Sequence, residues 1–399
     1  MSSSGIRIMS VLGALVAFGA VSMIVAAAGA RAEEPPIKIG VIMTYSGPYA
    51  FNGHQVDLGI AAEIKAHGDT IAGRKIEIIR KDDTGLAPDV AKRAAQELVT
   101  RDHVDAIFGG CWSPNALASI PVVNAAKIPF FIVIAVTDGV PAKSPYMIRV
   151  SSSASVPSYL MGKWAAKRGW KQGYNAVADY VLGTTAANAF TKGMEENGGK
   201  IVGQVRLPVN NSDFTPYVQR ILNTHPQIVQ LSLPSGFIAE DFVKIFHNVG
   251  LFDRGINLIA GDITETKPIN ELGDYVNGLY NLSFYVSDND SPANAEFIKA
   301  FHDVPGATGN PGFVALTGYD SLYLLRQAVE NQKGKTDSRA LMRQLRGHQF
   351  ISPRGPIGYD EHGEIIENWY LRQITAVAGK MEMKPVAIFS MVHARGSAP

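Results

Sequence analysis

An α/β protein of two lobes, each with a parallel central sheet, is the fold class this sequence predicts. Short β-rich runs alternate with segments of helical period, the pattern of parallel strands joined by helical crossovers. The alternation runs once and then restarts after "YMIRVSSSAS" with no long polar linker between. At 399 residues the chain also exceeds what one ordinary core encloses.

The first unit opens at Ile37. "IKIGVIMT" is a strand, and "GHQVDLGIAAEIKAHG" places Val56, Ile60 and Ile64 at helical spacing before Gly68 stops the helix. "KIEIIRKDD" alternates as a strand, and "APDVAKRAAQELVTRD" is a helix with Pro88 in its first turn. "VDAIFGG", "NALASIPVVNAAK" and "IPFFIVIAVT" follow as strand, helix and buried strand. The second unit starts with the helix "SVPSYLMGKWAAKRG", the strand "YNAVADY", the helix "TAANAFTKGMEENGG" and the strand "KIVGQVRLP". It continues with the helix "FTPYVQRILNTHP", the strand "QIVQLSLP", the helix "AEDFVKIFHNVG" and the strand "INLIAG". The last third breaks this order. "NAEFIKAFHD" and "ALTGYDSLYLLRQAVENQ" are helices, and "GPIGYDEHGEIIENWYLRQIT" is a β-hairpin turning at Asp360–Gly363.

Ahead of the first strand, residues 1–32 read as a signal peptide. Arg7 gives a basic start, Met9 to Gly29 is apolar, and Ala30-Arg31-Ala32 is a small-x-small cleavage site with Glu33 after it. The length of the apolar run leaves an uncleaved anchor as the competing reading. No cysteine stands at the cleavage point to take a lipid, and no second stretch is long enough to span a bilayer. The expected destination is the periplasm.

Composition excludes several function classes. Lys and Arg number 37 against 36 Asp and Glu, whereas a sequence-blind nucleic-acid binder needs clustered basic residues. The single cysteine, Cys111, has no partner for a disulfide and no local histidine to make it a thiolate, so it reads as inert. The histidines are scattered, and "KDDTG" lacks the rest of a calcium loop, so it reads as a turn. There is no P-loop, no G-x-S-x-G and no G-x-G-x-x-G opening the first helix. Neither a metal, nor a cofactor, nor catalysis is expected.

In an open α/β sheet, ligands gather beyond the carboxyl ends of the strands. That rule selects "TYSGPYAFNG", "GGCWSPN", "AVTDG", "ADYVLGTT", "LPSGF" and "AGDITET". Most precede a helix, whose first N–H groups can hold an anion.

These loops, in this order, resemble the periplasmic solute-binding proteins of ABC importers, in the leucine/isoleucine/valine-binding family. The carriers are "IKIGVIMTYSGPYAFNG", "IEIIRKDDTGLAPDVAKRAAQELV", "IFGGCWSPNALASIPVVNAAKIPFF", "AVT" and "GPIGYDEHGE". The resemblance implies a type I periplasmic binding fold, two Rossmann-like lobes joined by a three-crossover hinge. The crossovers are expected near Val150–Ser153, Ser283–Val286 and Phe350–Arg354. The N-terminal lobe would take 37–150 plus 286–350, and the C-terminal lobe 152–283 plus 354–399. It further implies a monomeric receptor that closes on a small-molecule ligand, the closed form being recognised by the membrane permease subunits.

For the site, the resemblance implies a ligand carboxylate held at "CWSPN" and by Thr137, with Ser113 the nearest hydroxyl and Trp112 where relatives carry a contacting serine. Asn52 stands in the place of an aromatic, and Leu182, beside Tyr180, in the place of a pocket tyrosine. Phe237 and Phe313 correspond to further contacts, and Asp262 to the acid that pairs with a ligand ammonium. Plainer roles stay open: Trp112 as packing under a loop, Ser113 and Asp262 as helix caps. The ligand expected is an amino acid of branched-chain or aromatic type, on the strength of Asp262. The main alternative is an aromatic acid lacking the amino group, on the strength of the flat apolar face of Trp112. A regulatory sensor on the same fold is a further alternative.

Overall fold

The computed structural model describes residues 34–211, 213–261, 263 and 269–393. The signal-peptide reading and Asp262 therefore fall outside the described residues. The first sheet contains β1 (Ile37–Met43), β2 (Thr70–Ile71), β3 (Arg74–Asp82), β4 (Ala106–Gly109), β5 (Phe130–Ile132) and β6 (Met147–Arg149). Their order is β2-β3-β1-β4-β5-β6, parallel except for the β2–β3 hairpin. Its helices are α1 (Ala50–His67), α2 (Pro88–Thr100) and α3 (Ser113–Ala126). Helices cover both faces, so β1 is almost wholly buried and reads as a continuous apolar run. In α2, Ala91, Ala94, Ala95 and Leu98 form one buried stripe, and the Leu98 side chain lies over Gly40 of β1.

The second sheet begins with β7 (Gln172–Ala178), β8 (Lys200–Leu207), β9 (Ile228–Ser232), β10 (Asn257–Ala260) and β11 (Tyr280–Ser283). These pair in parallel in the order β8-β7-β9-β10-β11. Between them run α4 (Ser155–Lys167), α5 (Val181–Glu195), α6 (Thr215–Thr224), α7 (Phe237–Asn248) and the short α8 (Ile269–Leu272). The chain then forms α9 (Pro292–His302), α10 (Phe313–Asn331) and α11 (Ser338–Leu345), with α9 and α10 packing on α1. It ends in four antiparallel strands of the second sheet: β12 (Gln349–Ser352), β13 (Gly355–Tyr359), β14 (Ile365–Val377) and β15 (Lys380–His393). No helix among the described residues is long and apolar enough to cross a membrane.

Some elements differ from the sequence reading. β5 ends at Ile132 rather than running through "IVIAVT". There the chain curls over the end of β4, the Val133 and Ala135 amides donating to the Gly109 and Gly110 carbonyls. This brings residues 134–136 toward the carboxyl edge of the sheet. The strand β15 and the helix α11 had no counterpart in the reading.

Two contacts tie α10 to α1. A β-carbon at Gly59 would fall inside the Ala315 carbonyl, and one at Gly318 inside the Val56 carbonyl, so the two backbones meet without side chains between them. Near by, Arg326 makes a bidentate pair with the buried Glu63, at 2.5 and 2.9 Å.

The chain passes between the regions of the two sheets after β6, after β11 and after α11. One buried cation reaches all three. The Arg354 guanidinium donates to the Val150 carbonyl (2.9 Å), to Asp320 of α10 (2.7 Å) and to Glu367 of β14 (2.8 Å). It also lies 4.6 Å from the centre of the Phe284 ring, just past β11. Ser352 donates to the same Asp320 carboxylate. The β12–β13 hairpin is hydrogen-bonded into the second sheet, yet Ile357 and Tyr359 are buried in the core of the first. A second buried pair, Arg149 with Glu364 (2.7 Å), holds the loop after β5: Arg149 also donates to the Ala135 and Thr137 carbonyls.

Candidate functional site

A cavity of about 170 Å³ opens at the carboxyl ends of the strands of both sheets. At roughly 15 Å³ of such space per water, it takes a molecule on the order of ten non-hydrogen atoms. The loops after β1, β4, β5 and β6 line one side; those after β7, β9, β10 and β11 line the other, with Phe313 and Trp369 completing the wall. These are the loops the strand-end rule selects, together with the connections after β6 and β11.

Trp112 stands where the chain leaves β4 and turns into α3. It occupies the cap position with extended backbone, and only 4% of its surface is exposed. Its indole N–H donates to Thr44 Oγ1 at 3.2 Å, and Thr44 donates to Asp83 at 2.6 Å. Asn115 donates to the other Asp83 oxygen at 2.9 Å. Burial lifts the Asp83 carboxyl above its ordinary value, against the lowering effect of these bonds. The donor of the indole is thus committed to the protein, and what Trp112 offers the cavity is its apolar ring. Tyr49 meets that ring edge-on at 4.8 Å, and Tyr180 lies 6.3 Å away. A separate group on the wall has Phe284 packed against Phe313 at 5.3 Å and Trp369 at 5.7 Å. Two aromatic groups therefore face the space from different elements.

The remaining polar wall is made of hydroxyls and amides. It includes Ser113, Ser151 to Ser153, Ser158, Ser232, Ser235 and Ser283, with Asn52 and Gln230. Among the described lining residues there is no Asp, Glu, Lys, Arg or His. Positive potential comes instead from helix starts. The first turns of α3, α4, α5, α7 and α10, or the residues just before them, lie on the wall. Cys111 is buried beside Trp112, and burial pushes its thiol up to about 12, the opposite of what a nucleophile needs. Burial likewise raises the Tyr49 hydroxyl to about 12. That hydroxyl donates to the Val209 carbonyl at 3.0 Å, linking the loop after β1 to the loop after β8.

Of the residues singled out in the sequence, Asn52, Trp112, Ser113, Tyr180, Leu182 and Phe313 are on the wall. Ser113 is the first helical residue rather than the cap, and its hydroxyl accepts the Thr137 amide at 3.2 Å. Thr137 itself is not on the wall: its carbonyl accepts from Arg149 and its amide donates to Ser113 Oγ. Phe237 is also off the wall, and it backs Tyr49 at 5.3 Å. Asp262 lies outside the described residues, between the lining residues Gly261 and Ile263. The sequence reading passed over Tyr49, Gln230, Phe284 and Trp369. Tyr49 lies inside the "TYSGPYAFNG" loop, and Gln230 is the one amide among apolar neighbours in its strand, so both carried a signal. Phe284 and Trp369 carried none.

A family profile described as "Periplasmic binding protein" matches residues 36–380. The Leu/Ile/Val-binding protein homolog 6 of Brucella abortus is 32% identical over 349 residues, 87% of this chain and 90% of that protein. A solute-binding protein of an ABC transporter from Rhodopseudomonas palustris BisB5, solved with 3,4-dihydroxybenzoic acid, superposes with a TM-score of 0.84. It is 35% identical over 90% of this chain and 98% of its own. Another from Rhodopseudomonas palustris HaA2, solved with p-hydroxybenzoic acid, has a TM-score of 0.84 and 32% identity, covering 89% of this chain and 97% of its own.

Proposed function

The chain belongs to the periplasmic binding protein family and is the solute-binding protein of an ABC transporter; from that premise we propose that it captures an aromatic carboxylic acid. The cavity wall carries the proposal: two aromatic groups and a row of serines, with no charged side chain among the described lining residues. Trp112 with Tyr49 and Phe284 with Phe313 offer an aromatic ring apolar faces on the wall. A carboxylate is compensated by the helix starts at Ser113 and its neighbours, which act on anions and not on ammonium groups. The two relatives solved with hydroxybenzoic acids support this choice.

Asp262 favours a second reading, a branched-chain or aromatic amino acid. In the sequence it follows Gly261 and precedes Ile263, both wall residues, and a carboxylate in the cavity would pair with an ammonium. The name of the Brucella relative points the same way. A thermal-shift screen of the mature protein decides between them, because a ligand bound only by the folded form raises its Tm. Stabilisation by benzoate-type acids, and not by leucine or phenylalanine, is the expected outcome. Stabilisation by the amino acids, lost in Asp262→Ala, would establish the second reading.

In this role residues 37–150 with 286–350 form one lobe and 152–283 with 354–399 the other. The connections after β6 and β11 and the Phe350–Arg354 segment serve as the hinge. A monomer, exported to the periplasm by cleavage after residue 32, closes on its ligand and presents the closed face to the permease subunits.

A further inference from the structure

Gln230 is a fully buried amide in the middle of the second sheet, with Ile228, Val229 and Leu231 buried beside it. It lies on the cavity wall together with Ser158 of α4. Its Nε2 donates to Ser158 Oγ at 3.2 Å, while its Oε1 is buried with no protein partner. Ser153, on the segment leading into α4, has a second buried hydroxyl on the same wall without a partner. A polar atom placed in a central strand and left unpaired is costly to the fold, so its presence calls for a partner that the protein does not supply.

We infer that Gln230, held by Ser158, is the specificity-determining residue of this cavity and that it reads a hydroxyl carried on the ring of the ligand. The inference rests on the aromatic-acid reading and names which members of that class are taken. A hydroxyl is the one common ring substituent that satisfies the amide in either orientation. It donates to Oε1 as placed, and it accepts from Nε2 if the amide is turned over. A carboxylate only accepts and is better compensated at the helix starts. An unsubstituted ring leaves the buried amide oxygen unpaired, whereas a ring hydroxyl pairs it.

Calorimetric titration of the mature protein with benzoate, 3-hydroxybenzoate and 4-hydroxybenzoate tests this. At least one hydroxybenzoate is expected to bind about tenfold or more tightly than benzoate. In Gln230→Met, which keeps length and removes the amide, that ratio should fall to within about twofold while benzoate still binds. Should Gln230→Met fail to fold, Ser158→Ala serves in its place, and a reduced ratio is again expected. Wild-type protein that binds benzoate as tightly as both hydroxy acids overturns the inference and leaves the aromatic-acid reading standing. A preference that persists unchanged in the variant does the same. Binding of none of the three acids overturns both together.

Discussion

Trp112 shows how a single side chain is prepared for a ligand before any ligand arrives. Its N–H is fixed on Thr44, which is fixed on the buried Asp83, so the plane of the ring is set from behind. Truncating it should cost stability as well as binding, because the ring is also packed into the first core. Trp112→Ala is expected to weaken the titrated ligand by about tenfold or more, the loss expected of an anchoring aromatic. Thr44→Val should leave the ring present but less constrained and weaken binding by a smaller factor. Ser113→Ala releases the Thr137 amide and should lower stability by about 1 kcal/mol in chemical denaturation. At this scale the sequence was only partly legible. Trp112 and Ser113 follow a strand end directly, and both reach the cavity. Thr137 and Phe237 occupy equivalent places in their loops, yet they point elsewhere. A loop has no period from which the direction of a side chain can be read; here the Thr137 backbone is held by Arg149, which donates to its carbonyl, and by Ser113, which accepts from its amide, while Phe237 packs against Tyr49.

Among the elements, the meeting of α1 with α10 is the most exacting. Gly59 and Gly318 each leave room for a carbonyl of the opposite helix, and α4 and α5 repeat the device with Gly162 and Gly193. Gly318→Ala must push the helices apart, and it is expected to cost at least about 1–3 kcal/mol, read as a lower midpoint in denaturant. Most of the alternation from Ile37 to Ala260 was legible because β1 and β9 are dense apolar runs, β3 alternates, and α2, α6 and α7 carry a 3.6-residue stripe. β15 was not. It is an edge strand that pairs only with β14, it carries Pro385, and much of it is exposed, so no buried face marks it. The short α11 lacked the length to establish a period.

For the whole molecule, the governing feature is the ion cluster where the three connections meet. Arg354→Met would leave Asp320 and Glu367 buried without their cation and should cost about 3–5 kcal/mol. Burial, outweighing the neighbouring Arg354, pushes the Glu367 carboxyl up to about 7. A carboxyl with a raised folded value holds its proton after the unfolded chain has released it. Its contribution is therefore greatest below about pH 4.5 and declines as pH rises toward about 7. Glu367→Gln should flatten that part of the stability profile, seen as a smaller fall in Tm between pH 5 and pH 8 than in the unmodified protein. The resemblance named the segments that hold Val150, Phe284 and Arg354, but the ion cluster was not legible, since Arg354, Asp320 and Glu367 are scattered along the chain and nothing local marks them as neighbours. Their arrangement has a mechanical meaning. Three separate connections would flex as three independent springs and admit twisting and sliding as well as opening. Fastened to one guanidinium, they share a single pin, which in the two-lobed reading proposed above favours opening as a door opens over twisting or sliding.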